Sequence, residues 1–336
     1  MLSSQKKKNR VFTRIVIAVA ILGIFYFGYR AISDVMSGKE ENPFEYNIEY
    51  FKQSDTTLHH YVQSSQIEIN MSQLYGLAIG PHDYLYVSGD HNIYIFDQNG
   101  SIHTKLECNA PVRTLYIDKN KDIFAAKSDH IEIYDNVGSQ IARWDTLGQK
   151  ALITSLTVGE EYVFVADAGN HIVWKFNRKG DLLGKIGEKD ETRDIPGFII
   201  PSPYFDLAID PDGYLWVVNP GRHSLENYTN DGDLRSSWGN PSITMEGFCG
   251  CCNPTHIAFL NDGSFVTSEK GIARVKVYNR VGNLVSVVAP PEQFIEGTEG
   301  LDLAVDSRNQ IYVLDPKQKT IRIYRKKLQS NGERVL

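Results

Sequence analysis

Three of the four cysteines lie within one short run, Phe248-Cys-Gly-Cys-Cys-Asn-Pro-Thr-His256, and that spacing is the sharpest chemical signal in the sequence. Cys249, Cys251 and Cys252 admit three readings. A Cys249 to Cys252 disulfide would pin the loop in an oxidising compartment. Thiolates, with His256 close behind, would instead bind a soft or borderline metal or form a redox couple. Unpaired thiols are the third. The spacing matches no zinc template, three cysteines leave one over, and the adjacent Cys251 and Cys252 bond only by closing a strained ring. Cys108, ahead of Pro111, is read as separate.

A second set of groups recurs through the chain. His91, His130, His171 and His223 each follow a short polar run, as in Asp167-Ala-Gly-Asn-His171 and Asn219-Pro-Gly-Arg222-His223. Neutral imidazole suits zinc, copper and iron, so a ring of such loops would hold a metal or an anion; the plainer role is to complete a turn. Asp167, Asp206, Asp302 and Glu299 are candidates for calcium or for acid and base work, although Asp in loops also caps turns. With Tyr204, Asn219 and Arg222 they make up the ligand-facing candidates, and the cofactor stays open between a transition metal, calcium and none. Asp194 to Tyr204, with three prolines and several apolar residues, reads as a pocket wall or docking patch. No nucleophile elbow, phosphate loop or His-Glu-x-x-His is present.

The elements that must position these groups are repeated. Ile153 to Val158, Tyr162 to Ala166, Ile172 to Phe176 and Leu182 to Ile186 are short β-branched and aromatic runs separated by Gly, Asp and Asn, which reads as four strands. The aromatic closing the third strand recurs as Phe96, Tyr134, Phe176, Tyr228, Tyr278 and Tyr324, at spacings of 38, 42, 52, 50 and 46 residues. Six four-stranded units predict an all-β, six-bladed β-propeller. Gly100, Gly138, Gly180, Gly232 and Gly282 follow five of these aromatics, where positive φ turns the third strand into the fourth. The sixth unit lacks a fourth strand, and Gln66 to Asn70 is expected to supply it and close the ring. By strand parity the cysteine insertion and the histidine loops share a rim, so Cys251, Cys252, His256, His171 and His223 are expected at one opening, with His91 and His130 across from it.

Val163-Phe-Val-Ala-Asp167 with Asn170-His171, Asp210-Pro-Asp-Gly213 with Leu215-Trp-Val217, and Leu301-Asp-Leu-Ala-Val-Asp306 with Tyr312-Val313 resemble the NHL repeat. The resemblance spans Leu74 to Tyr324 and implies six blades and a binding surface. Functions in that family range from protein and RNA binding to metal-dependent lyases and lactonases. The N-terminal anchor and the Cys-Gly-Cys-Cys-Asn-Pro insertion further resemble membrane-anchored bacterial envelope propellers, a likeness that brings no activity with it.

The 336 residues carry a net charge of -6, and the only dense basic cluster, Lys6 to Lys8 with Arg10 and Arg14, is N-terminal, which argues against a nucleic-acid surface. Residues 1–10 read as a cytoplasmic basic tail, 11–32 as a transmembrane signal-anchor helix, 33–45 as a polar linker, 46–326 as the propeller and 327–336 as a tail. The propeller is then expected outside the cytoplasmic membrane, on the periplasmic side, as a module binding a protein or small ligand through its loop-rich rim. The alternative is a metal- or thiol-dependent enzyme or redox component, lyase-like, lactonase-like or electron-transferring, working at the Cys/His mouth.

Overall fold

A computed structural model describes residues 17–30 and 51–328 of the chain. It divides into two units, residues 1–48 and 49–336. In the first, residues 17–30 form a helix whose large apolar side chains, among them Leu22, Phe25 and Phe27, are exposed. Among the described residues no helix is long and apolar enough to cross a membrane. The remainder of the expected span, the basic tail 1–10 and the linker 33–45 lie outside the described residues.

The second unit is built from six four-stranded antiparallel sheets. Blade 1 comprises Leu74–Ile79, Leu85–Gly89, Asn92–Phe96 and Ile102–Glu107, and blade 2 Thr114–Ile117, Ile123–Ala126, Ile131–Tyr134 and Gln140–Arg143. Blade 3 comprises Ile153–Val158, Tyr162–Asp167, Ile172–Asn177 and Leu182–Ile186, and blade 4 Leu207–Ile209, Leu215–Asn219, Ser224–Tyr228 and Leu234–Gly239. Blade 5 comprises His256–Phe259, Phe265–Glu269, Arg274–Tyr278 and Leu284–Ala289. In blade 6, Leu303–Val305, Ile311–Asp315 and Thr320–Lys326 are joined by the N-terminal strand Tyr61–Glu68.

The second strands are covered on both faces by neighbouring blades, so they read as continuous apolar runs; Leu215–Asn219 is buried at every position. Most fourth strands face water, and Gln140–Arg143 is mostly exposed, but in blade 5 the strand Leu284–Ala289 is buried over its second half. Each interface between consecutive blades holds its own hydrophobic cluster. The one between blades 6 and 1 packs Leu314, Ile321 and Ile323 against Leu74, Leu77 and Leu85, which closes the ring.

The expected closing strand is shifted. It runs Tyr61–Glu68, pairing Tyr61 with Lys326 and Ile67 with Ile321, while Ile69 and Asn70 lie past its end. The cause is the length of its partner Thr320–Lys326, which recruits the polar Tyr-Val-Gln-Ser-Ser-Gln stretch as well. As an outermost strand it needs no apolar pattern on both faces. The five turn glycines all have φ between 80° and 96°.

Candidate functional site

Strand register gives each blade one equivalent residue at the start of its innermost strand. Leu77, Leu115, Leu156, Leu207, Ile257 and Leu303 face Val87, Ala125, Val165, Val217, Thr267 and Val313 on the second strands. The residues just before them are Gly76, Thr114, Ser155, Asp206, His256 and Asp302. This lip is lopsided: blades 1 to 3 carry small residues there, and blades 4 to 6 carry three titratable ones.

Several lip groups latch one blade to the next. The Ser155 hydroxyl faces Leu207 O at 3.4 Å, Ile257 N donates to Asp206 Oδ2 at 2.7 Å, Ser268 Oγ donates to Leu301 O at 2.6 Å, and Leu77 N donates to Asp302 Oδ2 at 2.8 Å. The last bond crosses the point where the ring closes. Burial pushes the Asp302 carboxyl up to about 6 against the pull of the Leu77 and Leu303 amides. Burial does the same to Asp206, to about 6, with His256 opposing and Asp302 adding to the shift.

His256 differs from its neighbours. Its Nδ1 lies 3.2 Å from Thr255 Oγ1 and 3.4 Å from Ser268 Oγ, and among the described residues no hydrogen bond reaches Nε2. Burial lowers its pKa, with Asp206 pulling the other way, so the imidazole is neutral at pH 7. Tyr204 stands edge-on to this ring with centroids 6.0 Å apart, its hydroxyl donates to Glu299 Oε2 at 3.1 Å, and Lys270 Nζ lies 5.0 Å from the Tyr204 centroid. Burial, then Glu299, pushes the Tyr204 phenol up to about 12, so it stays a donor. Loops of blades 4, 5 and 6 thus bring an aromatic wall, a neutral imidazole, an ammonium and carboxylates to one side of the mouth.

The cysteine insertion is held beside this wall by buried charge. Glu269, Arg274 and Lys276 have no exposed side-chain surface; Arg274 Nε and Lys276 Nζ reach Glu269 Oε1 at 2.8 and 2.7 Å. The cations also cap the insertion's backbone. Arg274 donates to Thr244 O and Gly247 O, and Lys276 to Met245 O and Gly247 O, while Cys249 N donates to Glu269 Oε2. Asn253 completes the anchorage through Cys249 O, Lys270 O and Lys270 N. The device recurs: in blade 2 Lys127 bonds Ala110 O and pairs with Glu132, and in blade 4 Asn219 bonds Gly197 O and Glu226. Its sequence signal is a charged residue two before the third-strand tyrosine: Glu132, Glu226, Lys276 and Arg322. Sequence reasoning missed it.

The four cysteines are unbonded, so of the three readings the Cys249 to Cys252 disulfide is not formed in this structure. Cys249 is buried toward Glu269, whereas the short approach is Cys251 Sγ to Cys252 Sγ at 3.0 Å. Cys108 is buried beside Lys127 and Tyr134, apart from the cluster. No three His, Cys, Asp or Glu side chains among the described residues converge as metal ligands would.

Of the sequence candidates, the structure groups Tyr204, Asp206, His256, Glu299, Asp302, Cys251 and Cys252 and adds Lys270; Cys249 is buried toward Glu269, and the others serve as turn chemistry or stay apart. Asp167 is fully buried and accepts from Leu152 N, Gly169 N, Asn170 N, Asn170 Nδ2 and Trp174 Nε1. Asn219 is consumed by Ile199 N, Gly197 O and Glu226, and Arg222 is exposed with Nη2 on Pro196 O. His171 and His223 adopt φ of 56° and 55°, turn conformations. His171 lines a separate groove with Trp174 and Lys185, so it does not join the mouth, and His223 buries Nδ1 without a partner. His91 and His130 stay out of the cluster, His130 bonding Asp129 and Glu132. The proline-rich loop is no exposed patch either, because Ile195, Phe198 and Ile200 pack into the blade 3 and 4 core and only Ile199 faces out.

No family model matches the sequence, and no curated protein does. Solved structures do share the fold. A streptogramin B lyase is 14% identical over 80% of this chain and 98% of its own, with a TM-score of 0.56. The Staphylococcus aureus virginiamycin B lyase is 12% identical over 75% of this chain and 81% of its own, at 0.53. Its catalytically inactive histidine-to-alanine form with quinupristin is 12% identical over 80% and 100%, at 0.56. At these identities the likeness establishes the six-bladed fold and nothing further.

Proposed function

We propose that this chain is a membrane-tethered, extracytoplasmic binding propeller of NHL type that takes a small ligand or a partner's side chain at the lip of blades 4 to 6. The observation that carries this reading is the lopsided lip. Asp206 and Asp302 are engaged as latches, but among the described residues no hydrogen bond reaches His256 Nε2, its ring stands against Tyr204, which Lys270 also approaches, and blades 1 to 3 place only the small Gly76, Thr114 and Ser155 at the equivalent positions. A neutral imidazole, a phenol and an ammonium favour an uncharged or anionic ligand rich in hydrogen-bonding groups. The anchor is part of the proposal. It is supported by the basic residues before the apolar stretch and by the outward apolar side chains of helix 17–30. A reporter fused after Leu336 would be active only outside the cytoplasm; activity of a cytoplasm-only reporter there would refute the placement.

A second reading is acid and base catalysis at the same lip, lyase-like. It is favoured by a neutral His256 near two carboxyls whose pKa values lie at about 6, which matches a general base to neutral pH. The S. aureus lyase loses activity in a histidine-to-alanine form, which gives the reading its precedent without assigning it. His256→Ala separates the two: a binding site loses affinity alone, whereas a catalytic site loses turnover and its pH dependence. Because the only hydrogen bonds of the His256 ring among the described residues are the long Nδ1 contacts to Thr255 and Ser268, stability should fall by no more than about 1 to 2 kcal/mol in either case.

A further inference from the structure

The pair Cys251 and Cys252 is the one nucleophilic cluster that the ligand lip does not use. Their sulfurs lie 3.0 Å apart, Cys251 is exposed and Cys252 is buried behind it. Asn253 fastens the end of the insertion to Lys270 through two hydrogen bonds, which fixes Lys270 beside the pair. Gly250, at φ 75°, permits the turn that presents both sulfurs.

We propose that Cys251 and Cys252 form a thiol–disulfide exchange site at the edge of the mouth, alternating between a vicinal disulfide and a dithiol by exchange with the dithiol of a partner protein. Exposure assigns the roles. A partner thiolate attacks Cys251 Sγ, the Cys251–Cys252 bond breaks, and its electron pair leaves on Cys252 Sγ. The partner's second thiolate then attacks its own sulfur in the mixed disulfide, forming the partner disulfide and expelling Cys251 as thiolate. The partner gives up two electrons and two protons, and both sulfurs of this chain end as thiols; the reverse sequence oxidises them. Cys252 suits the leaving position. In the dithiol, burial raises its pKa, but the adjacent Cys251 thiol and the nearby Ser202 and Lys270 outweigh that and lower it. When it leaves, with Cys251 bonded to the partner, the Lys270 charge still favours its thiolate, and a lower-pKa thiol leaves faster. Cys251 is pushed the other way, chiefly by its hydrogen bond to Cys252. Cys249, buried against Glu269 and raised by burial, takes no part.

The test equilibrates the full chain in detergent with dithiothreitol and its cyclic disulfide at graded ratios, quenches exchange with acid, then unfolds and alkylates the protein and maps the peptides. Cys251 and Cys252 should change together from alkylated to protected as the ratio becomes oxidising, with Cys108 and Cys249 alkylated at every ratio. Phenylarsine oxide, which bridges two adjacent thiols with loss of water, should protect both in the reduced protein. Cys251→Ser should leave Cys252 unprotected at all ratios; should that variant not fold, Cys252→Ala, read at Cys251, supplies the same comparison, and the wild-type map decides alone if neither folds. Cys251 and Cys252 remaining alkylatable at the most oxidising ratio, or a mapped Cys249 to Cys252 bond, would overturn the proposal.

Discussion

Glu269→Gln removes the charge between two buried cations while keeping the side chain's shape. Arg274 and Lys276 have no exposed side-chain surface, so the variant leaves positive charge in the blade 5 core without a counter-ion. Breaking a buried pair in this way costs about 3 to 5 kcal/mol. Lys276 offers a partial escape. Burial holds its pKa at about 8 although Glu269 raises it, and without that carboxylate the value falls further. A lysine whose folded pKa lies below its unfolded value binds fewer protons when folded, so stability rises with pH between the two values. In the wild type that rise begins near pH 8. In the variant it should begin lower, so the deficit shrinks between pH 7 and 8. Urea midpoints at closely spaced pH values read both effects. Replacing all three residues by apolar ones should not restore stability, since Thr244 O, Met245 O and Gly247 O would lose their donors at about 1 to 3 kcal/mol per orphaned group. A loss below about 1 kcal/mol for Glu269→Gln, or full recovery in the apolar triple variant, would refute the view that this triad anchors the insertion.

Removing residues through Asn70 should cost far more than removing them through Asn42. It deletes a strand paired at seven positions, which at 0.5 to 1.5 kcal/mol per hydrogen bond is roughly 5 kcal/mol, and equal melting temperatures would contradict the closure. Asp302→Asn bears on the raised carboxyl. An acid with a folded pKa of about 6 against 3.8 unfolded binds more protons when folded, so wild-type stability falls as pH climbs through that window, by about 3 kcal/mol from this group. The variant should gain on the wild type across it, and parallel curves would count against a raised pKa. Asn253→Ala should quicken hydrogen exchange at Cys249 to Lys270 by releasing the insertion, while protection in blades 1 to 3 stays unchanged.

The blades were legible because a strand's burial is written in its own residues: Ile153–Val158 and Leu182–Ile186 form as the apolar runs foretell. The closing strand was half legible. Tyr61 to Gln66 is polar, and its pairing is imposed by Thr320–Lys326 more than 250 residues away. Repetition also misled. His171 and His223 recur at equivalent loops because a left-handed turn residue is needed there, so recurrence marked geometry and not a shared site. The lip was visible one residue at a time in Asp206, His256 and Asp302, but their equivalence follows only from strand register. Lys270 gave no signal, since it reaches Tyr204 only because Asn253 holds its backbone.

The most direct test of the lip as a binding site is a crystallographic soak of the propeller with a library of polar, hydrogen-bonding fragments. The account predicts fragments against Tyr204 and within hydrogen-bonding distance of His256 Nε2, and their loss from that position in His256→Ala crystals. Fragments that avoid the lip and gather instead in the opposite cleft of Asp118, Arg178 and Asp212 would contradict it.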